Sequence, residues 1–212
     1  RNHLFLQYHG GAHHKFELGP FTNSVVMTKR WRLVNTDSAQ ELYDIQIDPS
    51  QRNNIAGQKP EIVKNLRTAY QAFWQRVSPG LKPVAIDIGD LTENPSVLCS
   101  QDWRPETGNP PWNFSSIKKI PKVTYPWLVN ILEAGKYRFT LRQWPKEADK
   151  PIVGVKTKIK IAGVEKEALI KDGSKEIDFT LSLPSGITEL WTYIYNQQGK
   201  VGGAYFTEVE KL

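Results

Sequence analysis

Read for hydrophobic and polar positions alone, the chain divides near residue 80. Before that point lie four short apolar runs, "HLFLQY" (3–8), "SVVMT" (24–28), "WRLVN" (31–35) and "ELYDI" (41–45). Each is rich in β-branched or aromatic residues and bounded by turn formers, which predicts four strands of an antiparallel sheet. "DPSQRNNIAGQKP" follows with no periodicity, and Asp48-Pro49 starts a turn there. After Pro60 the period becomes helical. Ile62, Leu66, Ala69, Phe73 and Val77 recur on one stripe, widened by Val63, Tyr70 and Trp74. A helix over 61–77 is predicted, opened by Pro60 and Glu61 and ended by Ser78-Pro79-Gly80.

Beyond residue 80 the period is two. "PVAIDIG" (83–89) and "SVLCS" (96–100) read as strands, followed by a proline-rich loop containing Trp103 and Trp112. Tyr137, Phe139 and Leu141 then alternate with Arg138, Thr140 and Arg142. Val153, Val155, Ile159 and Ile161 alternate with Lys156, Lys158 and Lys160, and Ile177, Phe179, Leu181 and Leu183 with Glu176, Asp178, Thr180 and Ser182. "ELWTYIY" and "GAYFTEV" complete the set. Many short alternating strands and no long helix argue an antiparallel β-sandwich. The expected fold class is therefore α+β: a small antiparallel sheet packed with one long helix (1–80), followed by a jelly-roll-like β-sandwich domain (81–212).

Composition changes this picture little. A 39% hydrophobic share supports a packed core, and no apolar run approaches the ~20 residues of a membrane helix, so no membrane span is expected. The net charge of +6 favours anionic partners in general, but no run of five basic residues points to nucleic acid. Cys99 is the single cysteine, which excludes an internal disulfide and a cysteine-based metal site. The chain starts at Arg1, so any targeting signal is expected to lie upstream.

Three groups of residues raise chemical questions. Asp44, Asp48, Asn53 and Asn54 crowd one short stretch, but Pro49 and Arg52 interrupt the alternate-position ligands of a calcium loop. The run reads as turn and cap chemistry between strand and helix. His3, His9, His13 and His14 all fall in the first fourteen residues, yet no pair has helical ligand spacing. Trp103 and Trp112 are the candidates for stacking on carbohydrate, the usual device of small sandwiches; the alternative is packing against a neighbouring domain. The Lys156, Lys158 and Lys160 stripe suits a sulfated glycan, a solvated face, or an edge protected from aggregation.

The stretch from "WRLV" through "ELYDI" and "DPSQRNNIA" to the helix opening "PEIVKNLR" resembles the C-terminal subdomain of bacterial, formylglycine-dependent sulfatases of the arylsulfatase type. The match rests on Arg32–Val34, Glu41–Asp44, Asp48-Pro49 and Asn54-Ile55, with Ser50-Gln51 where the family more often has Gly-Glu. It covers about residues 3–77, and "IGDLTENPSVLCSQDW", "PPWN" and "AGKYRFTLRQWPKEADKPI" are similar to the longer tail of some members.

The resemblance implies a larger catalytic domain upstream, which carries the formylglycine and the calcium. No cofactor is assigned to this chain. Cys99 does not fit the Cys/Ser-x-Pro/Ala-x-Arg motif, because Gln101 and Trp103 stand at its third and fifth positions. The resemblance further implies that His13, His14 and Lys15 lie on a loop near the substrate, and that the protein is periplasmic or secreted. The expected partners are that upstream domain and a sulfated glycan. Two other readings stay open: a carbohydrate-binding sandwich, and a structural capping or oligomerisation domain.

Overall fold

The computed structural model of the chain describes residues 2–8, 20–36, 39–81, 83–105, 110–111, 113–118 and 123–212. The chain forms two compact units, Arg1–Pro83 and Val84–Leu212. Most of its regular structure is antiparallel sheet, with one long helix and sheets of β-sandwich-like arrangement in the second unit.

The first unit is a four-stranded antiparallel meander, β1 (Leu4–Gln7), β2 (Ser24–Met27), β3 (Trp31–Asn35) and β4 (Gln40–Asp44), in that spatial order. The Thr28 hydroxyl closes the β2–β3 turn by accepting the Arg30 and Trp31 N–H groups. One face carries Val26, Leu33 and Leu42, each wholly buried. The long helix α1 (Pro60–Val77) opens with proline, has Glu61 in its first turn and Arg76 in its last, and so complements its own dipole. Val63, Leu66 and Tyr70 of α1 share one buried cluster with Val26, Leu33 and Leu42. The helix stripe is therefore centred on these three rather than on Ala69, Phe73 and Val77, which stay half-buried. Tyr70 sets that rotation. Its ring lies 5.0 Å from Phe21 and its hydroxyl donates to the Gln7 side chain at 3.0 Å.

The opposite face of this sheet is also apolar. Leu4, Leu6 and Tyr8 are 46%, 50% and 73% exposed. In register beside them run the half-buried Val25, Met27 and Val34. Arg32 lies on the same face between Met27 and Tyr43, and its Nε is buried with no hydrogen-bond partner among the described residues.

The second unit begins with β5 (Ile86–Ile88) and β6 (Ser96–Cys99) and contains the short helix α2 (Phe114–Lys118). The strands β7 (Trp127–Ile131), β8 (Gly135–Arg142), β9 (Lys156–Ile161), β10 (Val164–Leu169) and β11 (Ile177–Leu183) follow. The last are β12 (Gly186–Tyr195), β13 (Val201–Gly202) and β14 (Phe206–Lys211). One sheet runs β10-β9-β12-β7-β5, with β13 paired to β12; the other runs β11-β8-β14-β6. The β5–β7 pair is parallel. Between the sheets sits one core in which Trp127, Val129, Ile159, Ile161 and Leu190 meet Tyr137, Phe139, Leu141, Phe179 and Leu181.

The period-two reading needs two corrections. Val153 and Val155 are 53% and 38% exposed, because β9 starts only at Lys156. The glycine between them, Gly154, lies so close to Ile194 that an added Cβ would be 2.6 Å from its methyl. In β8 both faces are covered at the C-terminal end, since Thr140 and Arg142 are buried along with Leu141. Each has an acidic partner: Thr140 donates to Asp178, and Arg142 to Glu176 and Glu208.

Tyr205 gives this unit a pH dependence. Its ring is fully buried and its hydroxyl donates to the Ser116 carbonyl at 2.8 Å. Burial pushes its pKa up to about 12, against ~10 in an unfolded chain. The folded state thus holds a proton that the unfolded state releases. The stabilisation is complete below about pH 10 and is lost as pH rises toward the folded value. We expect the melting midpoint to fall across that alkaline window, and Tyr205→Phe to shrink the fall; an identical alkaline slope in the variant would remove Tyr205 as its source.

Candidate functional site

The acidic run of the first unit is built as turn chemistry. Asp48 Oδ2 accepts the Arg52 and Asn53 N–H groups, both at 2.8 Å. Asn54 Oδ1 accepts from Leu42 and Ala56, which ties β4 to the approach of α1. Asp44 receives Arg30 Nε at 2.8 Å, and that bond holds its carboxyl below the ordinary carboxylate range. Arg30, Asp44, Asp48 and Asn53 border a groove of about 510 Å³ that also includes Trp31, Ile47 and Lys59. Among the described residues no group of three or more His, Cys, Asp or Glu is arranged to hold a metal ion.

His13, His14, Lys15 and Trp112 lie outside the described residues. Trp103 is described, and its position corrects the expectation that it stacks on sugar. It has no exposed surface. Its ring packs 5.6 Å from Tyr205 at 22° and 5.5 Å from Trp127 at 66°. Gly203 abuts it so closely that an added Cβ would be 2.7 Å from the indole. A ring covered on this scale presents no face to a ligand. Cys99 donates to Asp102 at 3.3 Å, and burial, with the Asp102 charge behind it, pushes its thiol up. That environment opposes the thiolate a nucleophile needs.

The outer face of the β10-β9-β12-β7-β5 sheet brings together residues that the sequence reading treated separately. Leu190, Thr192 and Ile194 of β12 point into the core, so Trp191, Tyr193 and Tyr195 point outward, each half-buried. Their rings form a row along the strand. Centroids are 6.2 Å apart from Trp191 to Tyr193 and 6.3 Å from Tyr193 to Tyr195, with planes within 8° and 23°. That spacing is close to the two-residue repeat of a strand.

The register places Lys160, Lys158 and Lys156 of β9 opposite them in turn. Lys158 sits 4.8 Å over the Tyr193 ring and Lys156 4.7 Å over Tyr195. Both ammonium groups are also paired with carboxylates of β10, Lys158 with Glu165 at 3.1 Å and Lys156 with Glu167 at 3.2 Å. Glu189 accepts the Trp191 indole N–H at 2.9 Å. The lysine stripe was legible in the sequence. The aromatic row was not singled out there, although "ELWTYIY" shows its alternation plainly.

A second groove, of about 420 Å³, is lined by Arg142, Trp144, Lys146, Lys150, Lys175 and Glu176 among others. Arg142 is already paired there with Glu176 and Glu208, and Lys175 with Asp149. Lys150 rests 4.9 Å over Trp144.

No helix among the described residues is long and apolar enough to cross a membrane. No family model and no curated protein matches the chain. Among solved structures, the crystal structure of a ruminal GH26 endo-beta-1,4-mannanase is similar over 56% of this chain and 26% of its own, at 16% identity and a TM-score of 0.38. The chain thus covers well under two thirds of that neighbour's length, and at that score the likeness bears on neither fold nor activity.

Proposed function

We propose that this chain is the C-terminal region of a sulfatase, a hydrolase of sulfuric esters of glycans or aryl alcohols, and that it is non-catalytic by itself. The observation that carries the reading is the outer face of the β1–β4 sheet. A small antiparallel sheet with one face already covered ordinarily turns polar groups to water on the other. Here Leu4, Leu6 and Tyr8 are exposed beside Val25, Met27 and Val34. An arginine in their midst, Arg32, has a buried Nε without an acceptor among the described residues. Such a face suits burial against a further domain. An upstream catalytic domain is the occupant we assign.

The residues that carry the family resemblance support the same division of labour. Asp44, Asp48 and Asn54 are spent on an ion pair, a turn and a strand-to-helix tie. In this reading the formylglycine and the calcium belong to the preceding domain, and the protein is periplasmic or secreted.

The test is the reading frame upstream of Arg1. It should encode a Cys/Ser-x-Pro/Ala-x-Arg motif. The purified 212-residue chain should release no product from an aryl sulfate above a buffer control, because hydrolysis needs an activated nucleophile and a cation. An upstream stop codon, a frame without the motif, or turnover by the isolated chain would each overturn the proposal.

A further inference from the structure

We infer that the outer face of the β12–β9 ribbon is a binding site for an uncharged, extended polysaccharide, with Trp191, Tyr193 and Tyr195 as its stacking platform. This is independent of the sulfatase reading and concerns residues that reading does not use. Three observations carry it.

The first is the row itself. Three rings at one repeat, nearly parallel, follow a single line along the middle strand of the sheet. A ligand that meets equivalent groups along one axis is itself a linear repeat. The carbon–hydrogen faces of successive sugar rings are apolar surfaces of this kind, and aromatic rings cover them.

The second is the charge balance. Lys156, Lys158 and Lys160 on this face stand against Glu165, Glu167 and Glu189. Lys156 and Lys158 are already in ion pairs. A polyanion would have to break those pairs or face their carboxylates. An uncharged chain of hydroxyls meets no such penalty, and fixed carboxylates and ammonium groups are good partners for hydroxyls. A protein partner is disfavoured by the same groups, because it would have to desolvate several ion pairs at the centre of its interface.

The third is free hydrogen-bonding capacity. Among the described residues neither the Tyr193 nor the Tyr195 hydroxyl has a hydrogen-bond partner, and Lys160 has no carboxylate within ion-pair distance. The indole of Trp191, by contrast, is held in place by Glu189. The site thus pairs a fixed ring with donors and acceptors still to be used.

Affinity electrophoresis of the whole chain tests this, with gels containing a soluble β-1,4-glucan, a β-1,3-glucan, a xylan or a sulfated galactan. Retardation is expected in at least one uncharged gel. It should change by less than about twofold between roughly 0.05 and 0.5 M salt, since stacking is not screened as ion pairing is. Trp191→Ala and Tyr193→Ala should each weaken it about tenfold or more, a loss of roughly 1.4 kcal/mol. Their circular dichroism and melting should confirm folding. Tyr193→Phe, which keeps the ring, should bind more tightly than Tyr193→Ala and guards against a misfolded alanine variant. Retardation by the sulfated galactan alone and abolished by salt, no retardation in any uncharged gel, or unchanged binding by folded Trp191→Ala would overturn the assignment.

Discussion

Trp103→Ala should remove about 3–5 kcal/mol from the stability of the second unit, the range for truncating a large buried aromatic. The ring has no exposed surface, contacts Trp127 and Tyr205, and is bordered by Gly203, so its removal leaves a cavity in the core of this unit. Domains are stable by only ~5–15 kcal/mol, so the change should be obvious in a urea titration. Trp103→Phe should cost less. It keeps a ring and discards the indole N–H, which is buried without an acceptor among the described residues. Equal midpoints for Trp103→Ala and the parent chain would mean that the ring is not in the core.

The largest effect in the first unit is expected from Leu66→Ala. Leu66 is 4% exposed and lies in a cluster whose other buried members, among the described residues, are Val26, Leu33, Leu42, Val63 and Tyr70. Deleting three carbons there should cost about 2–5 kcal/mol, toward the upper end if β1–β4 and α1 cannot close on the cavity. In so small a cluster that is a large share of the whole. Ala69→Gly and Val77→Ala should cost less, because those side chains are only half-buried. A urea titration of Leu66→Ala that superimposes on the parent curve would rule out this placement of the helix.

Elements were legible where local chemistry decides them. Pro60, Glu61 and a 3.6-residue stripe mark α1 without reference to the rest of the chain. Which part of the stripe faces inward was not legible, because the Tyr70 contacts with Phe21 and Gln7 reach across some fifty or more residues. Trp103 was misread for the same reason. "QDWRP" has no period, and its ring is buried by Trp127 and Tyr205 far along the chain. Val153 and Val155 continued an alternation that Gly154 breaks. The aromatic row on β12 was within reach of the sequence, since Trp191, Tyr193 and Tyr195 stand at every second position. What hid it is that aromatic residues in a strand are also what strand propensity alone would select. Its pairing with Lys156, Lys158 and Lys160 depends on the β9–β12 register, which no local pattern reports.

Lys166 bears on how this protein behaves among copies of itself. β10 is the outermost strand of its sheet, and its free edge offers unpaired N–H and C=O groups. On that strand Glu165 and Glu167 share the face of the lysine stripe, so Lys166 points the other way, beside Ile159, and its ammonium caps the Thr180 carbonyl of β11 at 2.9 Å. A strand arriving from another molecule would have to accommodate a cation at the inward position where a continuous sheet needs an apolar side chain. A cation at that position opposes continuation of the sheet by a second copy. Lys166→Val is therefore expected to favour edge-to-edge, fibrillar association, and a light-scattering time course that matches the parent chain would remove this role from the lysine.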